Sequence, residues 1–562
     1  MNWIGGVHAK VPTNLDEIRR QANLMTEAVC FPRPAKTDGQ WRWIKSIAEE
    51  GDGKILVQLS TDNGASSKER RLYRSQQGKL TILYDGYFYE FEDRERKRTR
   101  DDTGFASDVC LEQLCSLLAC SAGGLEQRLK QALIRTDGDY ALAISEAGET
   151  VISRNALGTK PLYIAEDGKF WAFASNKRPL WKIGLPEVMS LKAGVLAIFN
   201  GGKVTVERGV ALKEEKIEIR DMSQAISRYR HALCSALRKR LDKVDGINRI
   251  GVLLSGGVDS CLIAKLLHDA VSAQGGEVVA YSVGLVDSPD LNFACKFAKE
   301  MGIKHKARML TISDVEKYIP EVVEAVEDSD FVQVEAGIGI FAALDVAVED
   351  GIEVVFSGQG PDELWGGYNW YPKVLARDGR EELRRRMWED FARADIETLD
   401  RENKIALAHG VDIFFPYLDW EVVDVAWSVA SELKVMSEKD YLGKHPHRQL
   451  ALRIGVPPSY AYREKLAIQH GTGIHGVLDI IANKNGFDAS LINRIGYTNE
   501  AITEEKMGSS SRYGYRYGGR ELWQVPSHVQ FFLHTVAYKR GLLNSSVRKR
   551  IESFLSKADF CL

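Results

Sequence analysis

The chain has 562 residues, 44% of them hydrophobic and 27% charged, enough to bury a large core and to form roughly two to four domains rather than one. Its 75 Lys and Arg against 78 Asp and Glu leave a formal net charge of −3, which excludes the global basic field that nucleic acid or an anionic membrane would need. A small anionic ligand stays open, because local charge suffices to hold one.

The opening MNWIGGVHAK lacks the basic, apolar and small-residue succession of a secretory leader, and no later run is read as approaching the ~20 apolar residues of a membrane span. A cytoplasmic protein is the expectation. From Lys54 to Tyr89 the runs ILVQLS, RRLYR and LTILYDGYFYEF, separated by Gly, Asn and Ser, predict strands of an antiparallel sheet. Glu92 to Asp102 is a mixed charge run, read as a solvated loop or strand end, with a phosphate-binding patch as the alternative. Leu111 to Ile134 reads as one helix. Cys110, Cys115 and Cys120 recur every five residues in this apolar helical segment with neither CxxC spacing nor a disulfide framework, so they are expected to be buried thiols in a reducing compartment. The short runs DYALAI, TVISR, KPLYIAE, FWAFAS and VLAIF follow, so residues 1–205 are expected to form an α+β domain with sheet on sheet.

Beyond Asn200-Gly201-Gly202 helices dominate. RIGVLLS, VVAYSVGL and EVVFSG are isolated apolar strands, with helices at Arg228 to Leu241, CLIAKLLHDAV and FACKFAKEMG. This alternation predicts a doubly wound parallel sheet in a second domain, residues 215–562, with a largely helical extension from Gly379. SSSRYGYRYGG, Ser509 to Gly519, reads as a mobile surface loop.

Two segments carry chemistry. In RIGVLLSGGVDS a strand runs into Ser255-Gly256-Gly257, and Asp259-Ser260 open a helix. Adjacent glycines expose successive N–H groups and the helix start adds partial positive charge, which suits a phosphate. No Lys follows the glycines, so this is not a Walker A loop; it matches the pyrophosphate loop of enzymes that cleave ATP between the α and β phosphates. The second segment, FSGQGPDELWGGY, puts Asp362 at the carboxyl end of another strand, where open α/β sheets bind ligands. Two carboxylates facing one phosphate loop point to Mg²⁺ shared between Asp259, Asp362 and the phosphates.

GVLLSGGVDS, YSVGLVDSPDL and FSGQGPDELWGGY, in this order, resemble the synthetase domain of the asparagine synthetase family, as do Val411 to Val429 and Tyr462 to Gly473. LYDGYFYEF, DGDYALAI, SRNALGTKPLYI and FASNKRPLW are similar to the family's type 2 glutaminase domain, an Ntn-hydrolase-like antiparallel sandwich flanked by helices. The resemblance implies attack of a substrate carboxylate on the α-phosphorus of ATP, release of pyrophosphate, and capture of the acyl-adenylate by a nitrogen nucleophile. It implies that Leu254, Ser255, Gly256, Gly257, Val283, Ser357 and Gly358 surround ATP, that Asp259, Ser260 and Asp362 bind Mg²⁺ and pyrophosphate, and that Lys465 lies by the reacting groups.

Two departures matter. The family's glutaminase nucleophile is a cysteine exposed after Met removal, but position 2 is Asn2, and Cys30 has no terminal amine beside it, so glutamine hydrolysis is expected to be absent. The family's Asn-Gly-Glu stretch is Asp85-Gly86-Tyr87; Asp108 still matches the acid that binds the glutamine amine. Gln359 stands where many members carry a carboxylate, so another base, or an already neutral nucleophile, is needed. Glu335 falls where asparagine-making members hold the α-carboxylate, which makes aspartate a doubtful substrate. The leading expectation is an ATP- and Mg²⁺-dependent ligase joining a small carboxylate to ammonia or an amine. An intramolecular cyclase of the β-lactam synthetase or lasso-peptide type and a pseudoenzyme are the alternatives. Neither nucleic acid nor membrane is an expected partner; a homodimer through Gly194 to Val204 and the helical tail is left open.

Overall fold

The protein is described from a computed structural model, covering residues 2–29, 42–51, 53–62, 73–74, 80–91, 107–212, 217–244, 246–499, 516–517, 520–521, 525–543 and 545–558. The charge run 92–102 and Cys30 lie outside the described residues, as does most of Ser509 to Gly519. Of that last stretch Arg516–Tyr517 is described, in a short antiparallel ladder with Arg520–Glu521 rather than as a bare loop.

The N-terminal part stacks two six-stranded antiparallel sheets. The first runs Val188–Ser190, Tyr163–Glu166, Phe170–Ala174, Asn2–Ala9, Lys54–Asp62, Arg42–Gly51; the second runs Lys203–Arg208, Val195–Asn200, Glu149–Arg154, Thr136–Glu146, Leu80–Phe91, Tyr73–Arg74. Alternation along Thr136–Glu146 shows why they stack: Ala141 and Ala143 face Ile4, Leu56 and Phe173 between the sheets. Leu142 and Ile144 face the outer helical layer instead. That layer is two helices, Ser107–Cys120 and Leu125–Leu133, not the single helix expected from Leu111 to Ile134, because Gly123, at φ +108°, and Gly124 break it. Cys115 is buried and unbridged.

The C-terminal sheet has five parallel strands in the order Lys304–Leu310, Glu277–Leu285, Arg249–Leu253, Val354–Phe356, Asp412–Phe414. In chain order this is 3-2-1-4-5. Right-handed crossovers then place the connections on opposite faces, and the order reverses between Arg249–Leu253 and Val354–Phe356. The crevice at the carboxyl ends of these two strands is the switch point, and both chemical segments emerge there. Phe331–Glu349 corrects the expectation that no run nears membrane-spanning length; it is long and apolar enough, but it lies mostly buried in the protein core.

Candidate active site

The first loop is fixed by sterics. Gly256 has φ +74°, and a Cβ there would lie 2.5 Å from Phe293 Cβ and 2.8 Å from the Ala294 nitrogen, so no other residue fits. At Gly257 a Cβ would meet only Ser255 Oγ at 3.5 Å; the protein does not demand glycine there, whereas a ligand approaching the backbone would. The Ser260 hydroxyl is turned inward, 3.1 Å each from Ser255 N, Ser255 Oγ and Gly257 O, and braces the loop. Leu254 and Val283 are buried at the adjoining strand ends, with Leu254 N donating to Tyr281 O at 2.9 Å. Arg463, which the sequence alone does not single out, clamps the loop from above: Nη1 donates to Ser255 O and Nη2 to Asp290 Oδ1, both at 2.7 Å.

The second loop touches the first through backbone. A Cβ on Gly358 would meet Ser260 N at 3.1 Å and Asp259 C at 3.3 Å. Ser357 N donates to Phe414 O at 2.9 Å, and Gly360, at φ +112°, turns the chain into the Pro361–Trp365 helix that carries Asp362. Ser357 Oγ donates to Glu402 Oε2 at 2.8 Å and Gln359 Nε2 to Glu402 Oε1 at 2.5 Å. Glu402 is buried, and burial pushes its carboxyl up, opposed by Arg401 and by these two donors.

Asp259 and Asp362 do converge, as expected, and a lysine not singled out from the sequence sits between them. Lys444 Nζ lies 2.7 Å from Asp259 Oδ2 and 2.7 Å from Asp362 Oδ1, while Lys465 Nζ is 2.7 Å from Asp362 Oδ2. His447 Nε2 is 3.0 Å from Asp259 Oδ1, off the line of a hydrogen bond, and its Nδ1 is 2.8 Å from the Tyr229 hydroxyl. The Tyr417 hydroxyl donates to Asp259 O at 2.8 Å. Lys444 is 1% exposed and adopts φ +57°, a left-handed conformation rare outside glycine. Gly367 makes its approach possible, since a Cβ there would lie 2.0 Å from Lys444 Cε and 2.2 Å from Asp362 Oδ1. Burial alone would raise both carboxyls, but Lys444 first, then His447 and Lys465, hold Asp259 far below the usual range, and Lys444 and Lys465 hold Asp362 down. Burial works against the charge on Lys465, but Asp362 and Asp259 outweigh it and hold its pKa above the ordinary value.

Two further buried acids have raised pKa values. Glu363 is pushed up to about 7 by burial and by Asp362, and accepts a short hydrogen bond from the Tyr368 hydroxyl. Glu335, on the apolar Phe331–Glu349 helix, is pushed up to about 8 by burial and has His475 Nδ1 at 3.1 Å. Because its folded pKa lies above the unfolded ~4.3, the folded state binds the extra proton between those values and stability falls as pH rises through that window. Glu335→Gln removes the effect. The variant is therefore expected to gain on the wild type steadily from about pH 5 to 8 in urea midpoints, and a pH-independent difference would refute the assignment.

In the N-terminal pocket Asn2 is buried with no hydrogen-bond partner for Oδ1 among the described residues. Asp85 is buried and precedes Gly86, where φ is +113° and an added Cβ would come within 1.9 Å of Asp139 O, so only glycine fits. Tyr87 reaches across to the parallel sheet: its hydroxyl donates to Asp412 Oδ2 at 2.6 Å, and its ring lies 5.1 Å from Phe414. Asp108 lies at the start of the Ser107–Cys120 helix, its side chain outside the described residues.

A glycine loop and a lysine-bridged carboxylate pair thus lie at the switch point of a parallel sheet, in an α/β chain that also carries a double antiparallel sheet. The chain belongs to the asparagine synthase family, whose model matches residues 228–382 and 372–534; a glutamine amidotransferase domain model matches residues 57–182. It is 30% identical over 412 residues to a protein assigned as glutamine-hydrolysing asparagine synthetase 1 in Methanocaldococcus jannaschii, covering 65% of this chain and 74% of the relative. The glutamine-hydrolysing asparagine synthetases of Gallus gallus and Homo sapiens are 26% and 28% identical over 422 and 428 residues, each match covering 70% of this chain and 72% of the relative.

Proposed function

We propose that this chain is an ATP-dependent amide-forming ligase that makes an acyl-adenylate from a small carboxylate and passes it to ammonia or an amine without hydrolysing glutamine itself. The observation that carries this is the Asp259–Lys444–Asp362–Lys465 array, with Lys444 buried at its centre, beside the Ser255–Gly257 loop. In this reading the loop N–H groups, with Leu254, Val283, Ser357 and Gly358 around them, receive ATP. A substrate carboxylate oxygen bonds to the α-phosphorus as the bond to the β-phosphate oxygen breaks, and pyrophosphate leaves. Nitrogen then bonds to the acyl carbon, AMP departs with the former carboxylate oxygen, and the nitrogen loses a proton. Lys465 places positive charge where anion develops in both steps.

The donor set also suits Mg²⁺. Asp362 Oδ1 is buried without an aligned hydrogen bond, and with Asp259 it offers the two hard carboxylates that Mg²⁺ takes when phosphate oxygens complete its shell. Bound there, Mg²⁺ would neutralise the phosphate chain; Lys444 holds the two carboxylates together between them.

Asn2 supplies no sulfur and Tyr87 fills the former acid position with a contact to the other domain, which supports a silent N-terminal pocket. Glu402, one hydrogen bond behind Gln359, supplies the carboxylate that Gln359 lacks. The test is ATP–pyrophosphate exchange across a panel of carboxylic acids, run beside an assay of glutamate release from labelled glutamine. Exchange with at least one acid and no glutamate release is expected. No exchange with any acid would overturn the ligase reading, and glutamate release would overturn the silent pocket. Which acid exchanges, aspartate or another, names the substrate.

A further inference from the structure

Five consecutive residues at the start of the Asp400–His409 helix divide their contacts between the two domains. Toward the N-terminal sheets, Asp400 accepts a short hydrogen bond from the Tyr163 hydroxyl, Asn403 Nδ2 donates to Thr159 O at 2.8 Å, and Lys404 Nζ lies 4.6 Å over the Tyr163 ring. Toward the parallel sheet, Arg401 Nη1 donates to Gln333 Oε1 at 2.9 Å, and Glu402 receives Ser357 and Gln359.

The N-terminal surface that meets this helix is held by internal hydrogen bonds. Residues 155–163 are buried, and Arg154 ties their turn down from within: Nε donates to Lys160 O and Nη2 to Gly158 O, both at 2.6 Å, and Nη1 to Leu191 O at 2.8 Å. The same Nη1 reaches Asp395 Oδ2 at 3.1 Å, in the π-turn Asp395–Leu399 that feeds the helix. A second tie runs through Glu327, which accepts Asn176 Nδ2 at 2.7 Å, Lys177 N at 2.6 Å and Arg178 N at 2.7 Å from the N-terminal part and lies 3.3 Å from Lys404 Nζ.

We infer that the N-terminal domain of this chain serves as a clamp on the Asp400–His409 helix, setting the position of Glu402 and through it Gln359 and Ser357, with Tyr163 and Asn403 as positioning residues. The inference rests on the proposed ligase reading for its effect on rate, but not for the mechanical link itself. A domain with Asn2 at the family's cysteine position would thereby keep a role that does not depend on glutamine hydrolysis. The coupling runs through directly bonded side chains, the situation in which mutational effects cease to add.

The experiment uses the full chain as wild type, Tyr163→Phe, Glu402→Gln and the double variant. Tyr163→Phe keeps the ring under Lys404 and removes only the hydroxyl. It is expected to lower amide formation about tenfold, within the range that contacting residues couple, with the KM for ATP unchanged; the double variant is expected to be no slower than Glu402→Gln. Hydrogen exchange should quicken in 357–360 and 400–409 together and not in the sheet between 277 and 285. Fold-losses that multiply in the double variant, or exchange that rises evenly over the whole chain, would overturn the clamp. Should Tyr163→Phe fold poorly, Asn403→Ala cuts the Thr159 contact instead and is read the same way. If the wild type shows no pyrophosphate exchange with any acid, the ligase reading fails while the hydrogen-exchange comparison still decides the clamp.

Discussion

Lys444→Met is expected to cost about 3–5 kcal/mol of stability, the usual result of breaking a buried ion pair by removing one partner, and to be the most destabilising single change in the site. Lys444 is the shared cation of two carboxylates, at 2.7 Å from each, and all three side chains are buried or nearly so. Without it Asp259 and Asp362 face each other across a space from which water is largely excluded, with Lys465 bonded only to Asp362 and His447 the nearest group to Asp259. The sign of the pH dependence follows. Both carboxyls are held below their unfolded values, so their contribution is present above the unfolded pKa of ~3.9 and is lost as pH falls through the folded values. The deficit of Lys444→Met should therefore be greatest near neutrality and shrink on acidification, as the variant's carboxyls take up protons at higher pH than the wild type's. A second change, Asp362→Asn, should recover part of the loss because it removes one of the stranded charges. Urea midpoints of the three proteins from about pH 4 to 8 check this; equal stability of Lys444→Met and wild type at neutral pH would mean that the lysine is not the cation these acids rely on.

That lysine also shows where sequence reading stops. Ser255-Gly256-Gly257 and Gly358-Gln359-Gly360 are legible because each is a local device: an apolar strand, a glycine turn at positive φ, and an acid opening the next helix. A doubly wound parallel sheet follows from the same alternation, but its five-strand order and switch point do not, because two of its strands carry no such signal. Lys304–Leu310 is KHKARML, a polar edge strand with an exposed face, and Asp412–Phe414 is only three residues long. Asn2–Ala9 hides behind Gly5 and Gly6, whose place in the strand becomes intelligible only when Phe173 is seen where a Cβ on Gly6 would be, 2.5 Å from its ring. The residues that complete the site are of another kind. Lys444, His447, Arg463 and Glu402 reach the loops from segments more than 40 residues away, and in sequence they look like the solvated charges of ordinary helices and loops. Lys444 caps the His445–Arg453 helix whose first turn carries His447 and Arg448, so the local signal is the basic cluster KHPHR at a helix start. Their burial, which gives them meaning, is a property of tertiary packing.

Lys465→Ala is expected to have the largest effect on rate: a loss of about 10²–10³ in kcat, the usual result of deleting one preorganised charge from a transition state, with little change in stability. The two lysines of the array differ in this respect for a structural reason. Lys444 is sealed between the carboxylates, whereas Lys465 is 35% exposed and bonds only one of them, so truncation leaves Asp362 its Lys444 contact and strands no charge. Lys465 lies on the Arg463-anchored segment that passes over the Ser255 loop, with Arg463 Nη1 on Ser255 O and Arg448 Nη1 on Arg463 O at 2.9 Å, so its anchor does not depend on its own side chain. The variant should bind ATP nearly normally and fail in turnover, which separates a charge acting on developing anion from one that merely recruits nucleotide. Single-turnover measurements divide the loss between adenylation and nitrogen capture, and pyrophosphate exchange reads the first alone. A fall in ATP affinity that accounts for the whole loss in kcat/KM would assign Lys465 to ground-state binding and remove it from the chemistry.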